Sequence, residues 1–273
     1  MIAYPNAKIN LGLNILRKRD DGYHTIESVF YPIPWKDILE LVVDESSASG
    51  LVTFTSSGIP VPSDGKPNLC ERAYGLLHQL HGLPAIKMHL HKMIPIGAGL
   101  GGGSADAAFA LNMLNSLFQL SHSTEQLENL AAQLGSDCPF FVENTPKLVT
   151  GRGEVMQQTQ VNLSGYHLAV AYPNIHISTA EAYAGVRPAV PAISVAELVQ
   201  QPIAQWKSAL KNDFQESLLA KYPEIAALKA AMYAQGAIYA SMTGSGSAVY
   251  GIFDSKPADL AFSDEITMRL LEI

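Results

Sequence analysis

From Pro95 to Asp106 the chain reads Pro-Ile-Gly-Ala-Gly-Leu-Gly-Gly-Gly-Ser-Ala-Asp, with five glycines inside seven residues. Glycine lets a backbone adopt conformations closed to other residues and approach a ligand with no Cβ in the way. The run leads straight into residues 104–117, which are Ala-rich and helical by propensity. Unpaired amides and the positive end of a helix dipole then converge on one point, which is an anion site. Pro95, Ile96, Gly97, Ala98, Gly99, Leu100, Gly101, Gly102, Gly103 and Ser104 are therefore candidate phosphate-binding residues, with the Ser104 hydroxyl placed to reach a phosphate or a metal ion. A flexible linker of similar composition rarely sits between an alternating strand and a helix.

The flanking sequence fits this reading. Over residues 7–15 the odd positions Ile9, Leu11, Leu13 and Ile15 are apolar while Lys8, Asn10, Gly12 and Asn14 alternate with them. That is a strand with one buried face, and Lys8 and Asn10 project from the other, exposed face about 7 Å apart. Strand-like segments recur at 27–33, 38–43, 52–55 and 86–91. A helix fits 68–80, with Asn68 as its cap and Glu71 at the third helical position, and another fits 124–134, with Ser123 and Gln126 forming a capping box. The proline-punctuated stretch 172–202 reads as loops and a connection. Helical patterns resume over 203–219 and 223–235, followed by strands at 237–242 and 248–253 around a glycine turn, and a final helix over 257–273. Mixed strands and helices with turns suited to antiparallel pairing make the class α+β. A boundary near 150–165 divides the chain into 1–155 and 156–273.

Composition narrows the function. A net charge of −7 argues against nucleic acid as a partner, but not against a phosphorylated ligand held by backbone amides. Cys70 and Cys138 have no CxxC partner and read as buried free thiols of a cytoplasmic protein. Neither a signal peptide nor an apolar run of the roughly 18 residues that span a membrane is visible. Gly97, Gly99 and Gly102 formally match the dinucleotide fingerprint, yet 117–123 holds no acidic residue where that motif needs one. The Walker A pattern fails as well, since no Gly-Lys-Ser/Thr follows the glycines.

What remains, Pro-x-Gly-x-Gly-Leu-Gly-Gly-Gly-Ser, resembles the phosphate loop of the GHMP kinases. Ala7-Lys8-Ile9-Asn10-Leu11 is similar to the opening motif of one branch of that family. Asp20-Asp21-Gly22-Tyr23-His24 followed by Glu27 resembles its substrate-recognition segment, and Leu134-Gly135-Ser136-Asp137-Cys138-Pro139-Phe140-Phe141 its catalytic segment. Met242-Thr243-Gly244-Ser245-Gly246-Ser247 is similar to the third glycine motif of the family at large. The resemblance spans nearly the whole chain and is weakest over 184–235. Ala98, in a glycine-dominated run, and Ala105, where a second Ser is common, are departures small enough to leave the loop able to close.

The resemblance implies a two-domain fold, with an N-terminal ATP-binding domain like the second domain of ribosomal protein S5 and a C-terminal ferredoxin-like α+β domain. It implies ATP with Mg²⁺, and phosphorylation of a small-molecule alcohol joined to cytidine diphosphate (cytidine diphosphate methylerythritol). No nucleic-acid or membrane partner is expected, and the protein is expected to be a monomer or weak homodimer. Asp137 falls where such kinases carry their catalytic Asp, as a base or as a group that orients the hydroxyl. Taken alone, an Asp after Gly-Ser is an ordinary turn residue. Lys8 would pair with Asp137 and Asn10 would hold the substrate, whereas a strand Lys is usually just solvated. Tyr23 and His24 would read cytosine, with Tyr183 as a second aromatic over the ring. Asn68 and Lys92 match positions bordering adenine, although Asn68 is already explained as a helix cap. Ser104 is the one metal contact the sequence offers. Homoserine or mevalonate kinase, a non-catalytic nucleotide-binding module and a dinucleotide-dependent oxidoreductase are the rival readings.

Overall fold

The structure is a computed structural model, and it describes residues 1–62, 65–258, 260, 262–263 and 265–273. In chain order, β1 (Ile2–Ala3), β2 (Asn6–Lys18), β3 (His24–Lys36), β4 (Ile38–Val43) and β5 (Val52–Gly58) precede α1 (Leu69–His81) and β6 (Ile86–Lys92). After the glycine loop come α2 (Gly102–Leu117), α3 (Thr124–Ala131) and α4 (Phe140–Glu143). Next are β7 (Lys147–Thr150), β8 (Val155–Gln158), β9 (His167–Tyr172), α5 (Thr179–Ala184) and α6 (Val195–Leu198). The chain closes with α7 (Ile203–Ala209), α8 (Gln215–Lys221), α9 (Pro223–Ala234), β10 (Tyr239–Met242), β11 (Val249–Phe253) and β12 (Thr267–Glu272).

These elements gather into two compact units. The first comprises Met1–Ala7, Trp35–Ile96 and Gly101–Thr145. Its sheet runs β1-β4-β6-β5, antiparallel except where β5 lies parallel to β6. Alternation along β4 and β6 buries Leu39, Leu41, Met88 and Leu90 against Tyr74 and Leu77 of α1 and Leu111 and Leu114 of α2. Burying each such side chain favours the folded state by about 1.5–3 kcal/mol, which holds the two helices on one face of the sheet. The predicted capping boxes are present at both Asn68/Glu71 and Ser123/Gln126, and Gly82 ends α1 in the left-handed conformation.

The second unit comprises Lys8–Pro34, Gly97–Leu100 and Pro146–Ile273. One sheet is ordered β2-β3-β7-β8, and a second, fully antiparallel sheet is ordered β10-β11-β9-β12. Ala169, Ala171, Val249 and Phe253 of the second sheet form a core with Phe214, Ile225, Leu228 and Met232. Among the described residues no helix is long and apolar enough to cross a membrane.

Several expectations need correction. The helix expected over 257–273 is not formed: β12 pairs with β9 from Thr267↔Tyr172 to Glu272↔His167, so sheet pairing overrides the local pattern. Positions 259, 261 and 264 of that expected helix lie outside the described residues. The helical stretch 203–219 is two helices, because the chain between them turns to bond Leu13 through Leu13 N–Lys211 O and Asp213 N–Leu13 O, both 2.8 Å. Residues 172–202 hold α5 and α6, each opened by a serine cap, Ser178 and Ser194. The polar face of β2 is not exposed. Lys8 is 3% and Asn10 1% accessible.

Candidate active site

In the first unit the site is built on the start of α2. Gly101 stands at φ +70° as the residue before the helix, and no side chain caps the first turn. A Cβ on Gly102 would meet Ile94 Cγ2 at 2.9 Å and Lys92 Nζ at 3.0 Å, so only glycine lets this turn sit so low on β6. Ser104 is half-buried in the same turn. The segment after α3 folds back through Gly135 N–Ala131 O and Cys138 N–Gly135 O, both 3.2 Å, and carries Asp137 half-buried at its corner. Phe140 and Phe141 behind it are fully buried. The Cys138 thiol hydrogen-bonds with Ser104, and burial pushes it up to about 11 against the pull of that bond. Asp137 and Ser104 thus lie on neighbouring turns, joined through Cys138.

Lys92 enters the floor of this turn. Its ammonium donates to Asp37 Oδ2 at 2.5 Å and to Asp106 Oδ2 at 2.6 Å. Burial opposes its charge, but the Asp106 and Asp37 carboxylates outweigh that and hold its pKa above the usual lysine value. Burial pushes Asp106 up to about 7, with the Lys92 ammonium lowering it and the Asp37 carboxylate raising it. The side chain of Lys92 is therefore held inside the unit. Asn68 is occupied as the cap of α1.

In the second unit Lys8 Nζ donates to Asn10 Oδ1 at 2.6 Å and to Gly99 O at 3.2 Å, and lies 4.6 Å from the centre of the Phe30 ring. Asn10 Nδ2 donates to Ser28 Oγ at 2.9 Å, and its backbone amide donates to Thr243 Oγ1 at 3.0 Å. Thr243 Oγ1 in turn reaches Gly99 O at 3.2 Å. Gly99 has φ +79°, and a Cβ there would stand 2.2 Å from Thr243 O. The loop segment Gly97–Leu100, the start of β2 and the third glycine turn consequently form one network. This explains why the polar face of β2 is buried.

His24 stacks on Tyr183, with ring centroids 4.7 Å apart and planes 22° from parallel. Phe214 meets the edge of Tyr183 at 4.9 Å. Burial, with the Lys18 charge adding to it, holds the His24 imidazole below its ordinary pKa, so the neutral ring persists at pH 7. Tyr23 stands apart, 59% exposed, with the Arg152 guanidinium 5.2 Å above its ring.

The structure adds residues that sequence reasoning passed over: Asp37, Asp106, Ser28, Phe30 and Phe214. One signal was available. Asp106 is the one charged residue of α2 and stands among Ala105, Ala107, Ala108 and Ala110. Among the described residues no group of three or more His, Cys, Asp or Glu gathers to hold a metal ion. The Ser104 hydroxyl and the Asp137 carboxylate are hard oxygen donors of the type Mg²⁺ takes when it arrives with a phosphate.

An uncapped glycine-led helix start beside a half-buried carboxylate suits an enzyme that handles phosphates. The model of the GHMP kinases N terminal domain matches residues 68–144, and that of the GHMP kinases C terminal matches residues 194–265. The chain belongs to the GHMP kinase family, and within it to the group named 4-diphosphocytidyl-2-C-methyl-D-erythritol kinase. A relative of that name from Cytophaga hutchinsonii is 49% identical over 258 residues, covering 94% of each chain. Another from Parabacteroides distasonis is 46% identical over 254 residues, covering 93% of this chain and 92% of the relative. A crystal structure of 4-(cytidine 5'-diphospho)-2C-methyl-D-erythritol kinase superposes with a TM-score of 0.79 at 30% identity, covering 92% of this chain and 90% of that one. The Methanococcus jannaschii mevalonate kinase superposes with a TM-score of 0.73 at 12% identity, covering 100% of this chain and 98% of that one, which shows the shared fold alone.

Proposed function

We propose that this protein transfers the γ-phosphoryl group of ATP to the 2-hydroxyl of 4-diphosphocytidyl-2-C-methyl-D-erythritol, giving the 2-phosphate and ADP. The reaction belongs to the non-mevalonate, methylerythritol phosphate route to isoprenoid precursors. The observation that carries the choice of acceptor is the stacked His24–Tyr183 pair. A neutral imidazole beside an aromatic face suits a pyrimidine, by an edge hydrogen bond and stacking, and neither homoserine nor mevalonate has such a ring.

Phosphoryl transfer asks little covalent chemistry of a protein, so positioning and charge stabilisation do most of the work. In this reading the amides of Gly99 to Ser104 cradle the ATP phosphates, and Pro95 to Ala98 form the loop that leads to them. Ser104 would hold a Mg²⁺ ion bound with ATP, which would supply positive charge to offset that of the phosphates. Asp137 takes or orients the proton of the acceptor hydroxyl, helped by the apolar Phe140 and Phe141 at its back. Lys8 offsets charge as that proton leaves, and Asn10 holds the acceptor. Tyr23 closes over the cytosine from its exposed loop. Asn68 and Lys92 border the adenine, with Lys92 contributing backbone. Residues 1–155 form the ATP-binding domain and 156–273 the C-terminal domain. The unpaired, buried thiols of Cys70 and Cys138 support a reducing, cytoplasmic setting, with the chain a monomer or weak homodimer that binds no nucleic acid.

The test is ADP release from ATP and Mg²⁺ with the cytidyl alcohol, beside homoserine and mevalonate. Turnover confined to the cytidyl alcohol is expected. Turnover with either of the others discards the acceptor, and silence with all three discards the kinase reading.

A further inference from the structure

Beneath the open end of α2 lies a cluster of charged side chains to which the proposed reaction gives no part. Lys92, Asp37 and Asp106 are each at most 3% exposed. Asp37 precedes β4, and its second oxygen accepts the amides of Met93 at 2.5 Å and Ile94 at 2.8 Å. Asp106 rides on α2, one turn beyond Gly102. The Lys92 ammonium lies between them and sits where a Cβ on Gly102 would press at 3.0 Å. One cation therefore ties three segments together: the entry to β4, the end of β6 and the first turns of α2.

Stability alone does not account for this arrangement. Replacing a buried ion-pair cluster with apolar side chains of similar volume is often neutral or favourable. Among the described residues Asp106 Oδ1 is moreover buried with no hydrogen-bond partner. What the cluster supplies is fixed geometry, since an ammonium held between two carboxylates cannot move without leaving one of them unpaired. The Lys92 charge also offsets a buried carboxylate that would otherwise oppose an anion at the helix end.

We infer that Asp106, acting through Lys92 and Asp37, is a positioning residue for the nucleotide phosphates. The clasp sets the height and direction of the first turn of α2, whose uncapped amides receive the phosphate. This inference rests on the ATP reading proposed above.

The experiment compares wild type, Asp106→Ala and Asp106→Asn. It measures ATP affinity without acceptor, KM for ATP and for the cytidyl alcohol, kcat, and melting temperature. Asp106→Ala cuts one tie and leaves Lys92 on Asp37. We expect ATP affinity to fall roughly tenfold or more, because small displacements of a binding group are strongly penalised. KM for ATP should rise by more than kcat falls, with KM for the alcohol unchanged. Asp106→Asn keeps an oxygen for the Lys92 bond and should recover most of the affinity. Unchanged ATP affinity in Asp106→Ala overturns the inference. A parallel loss toward both substrates with a lowered melting temperature overturns it too, because that is general destabilisation. Should Asp106→Ala not fold, Lys92→Arg replaces it: a bulkier fork keeps the charge but not the geometry, so a tenfold loss supports the inference and wild-type ATP affinity overturns it. A wild-type protein that binds no ATP overturns the kinase reading and this inference with it, and is recognised before any variant is made.

Discussion

Two helices of the same unit begin in opposite ways. At α1 the Asn68 side chain accepts the Cys70 amide at 2.9 Å while the Asn68 amide donates to Glu71 Oε2 at 2.7 Å. At α2 the corresponding position is Gly101, no side chain caps the first turn, and that turn holds no acidic residue. α3 repeats the first pattern, with Ser123 and Gln126 closing the box and Glu125 in the first turn. Every helix leaves its first amides without intrahelical partners. At α1 and α3 the protein satisfies part of that need and adds negative charge to the dipole. At α2 it withholds both, so amides and positive dipole remain for an external anion. The difference separates a capped helix start from an open one, and it needs no knowledge of the ligand.

The comparison can be tested at both ends. The largest effect is expected beside the open end, at Asp137. Asp137→Asn should lower kcat by roughly 10² to 10⁴, the range that general acid–base groups contribute, while ATP affinity holds. Single-turnover assays beside ATP titration decide this, and near-normal turnover removes Asp137 from the chemistry. Next comes closing the open end. Gly101→Asp gives α2 the kind of carboxylate that α1 carries, and Asp tolerates the left-handed region better than most residues. ATP affinity should drop on the order of a hundredfold with the melting temperature little changed; retention of affinity would mean that phosphate binds elsewhere.

Smaller effects follow away from α2. His24→Ala should raise KM for the cytidyl alcohol roughly tenfold and leave KM for ATP alone, from the loss of one hydrogen bond in a half-buried site. Because burial and Lys18 hold the His24 pKa down, the neutral ring survives to lower pH than a free histidine. KM for the alcohol should therefore rise as pH falls, with its midpoint below the roughly 6.5 of a free imidazole. A rise centred on 6.5 or above contradicts the depressed imidazole. The smallest effect is expected at the sealed end: Asn68→Ala should lower stability by about 1 kcal/mol through loss of the cap. An accompanying rise in KM for ATP would assign Asn68 to adenine as well as to the cap.

Local chemistry was legible in the sequence wherever partners lie within a few residues. The glycine loop, the Asn68 and Ser123 caps and the alternation along β2 were all read correctly. Ser194 and Glu197 form a capping box of the same spacing, inside a proline-punctuated stretch whose pattern reads as loop. Burial was harder to read. Lys8 and Asn10 share a face that alternation marks as polar, and a polar strand face is ordinarily exposed. The structure covers that face with Thr243, which bonds Asn10 from 233 positions away. β12 was likewise unreadable, because its pairing with β9 is supplied by a strand far back in the chain.

What the sequence determined by itself is the glycine loop and the uncapped helix behind it, since glycine content, capping pattern and dipole are properties of a dozen consecutive residues. The tertiary structure alone decided which charges are buried and what neutralises them. Lys92 finds Asp106 14 positions ahead and Asp37 55 positions back, and nothing periodic encodes either pairing. The physical reason is range. Backbone conformation and capping are settled between near neighbours, whereas the desolvation of a charge depends on every segment that packs over it.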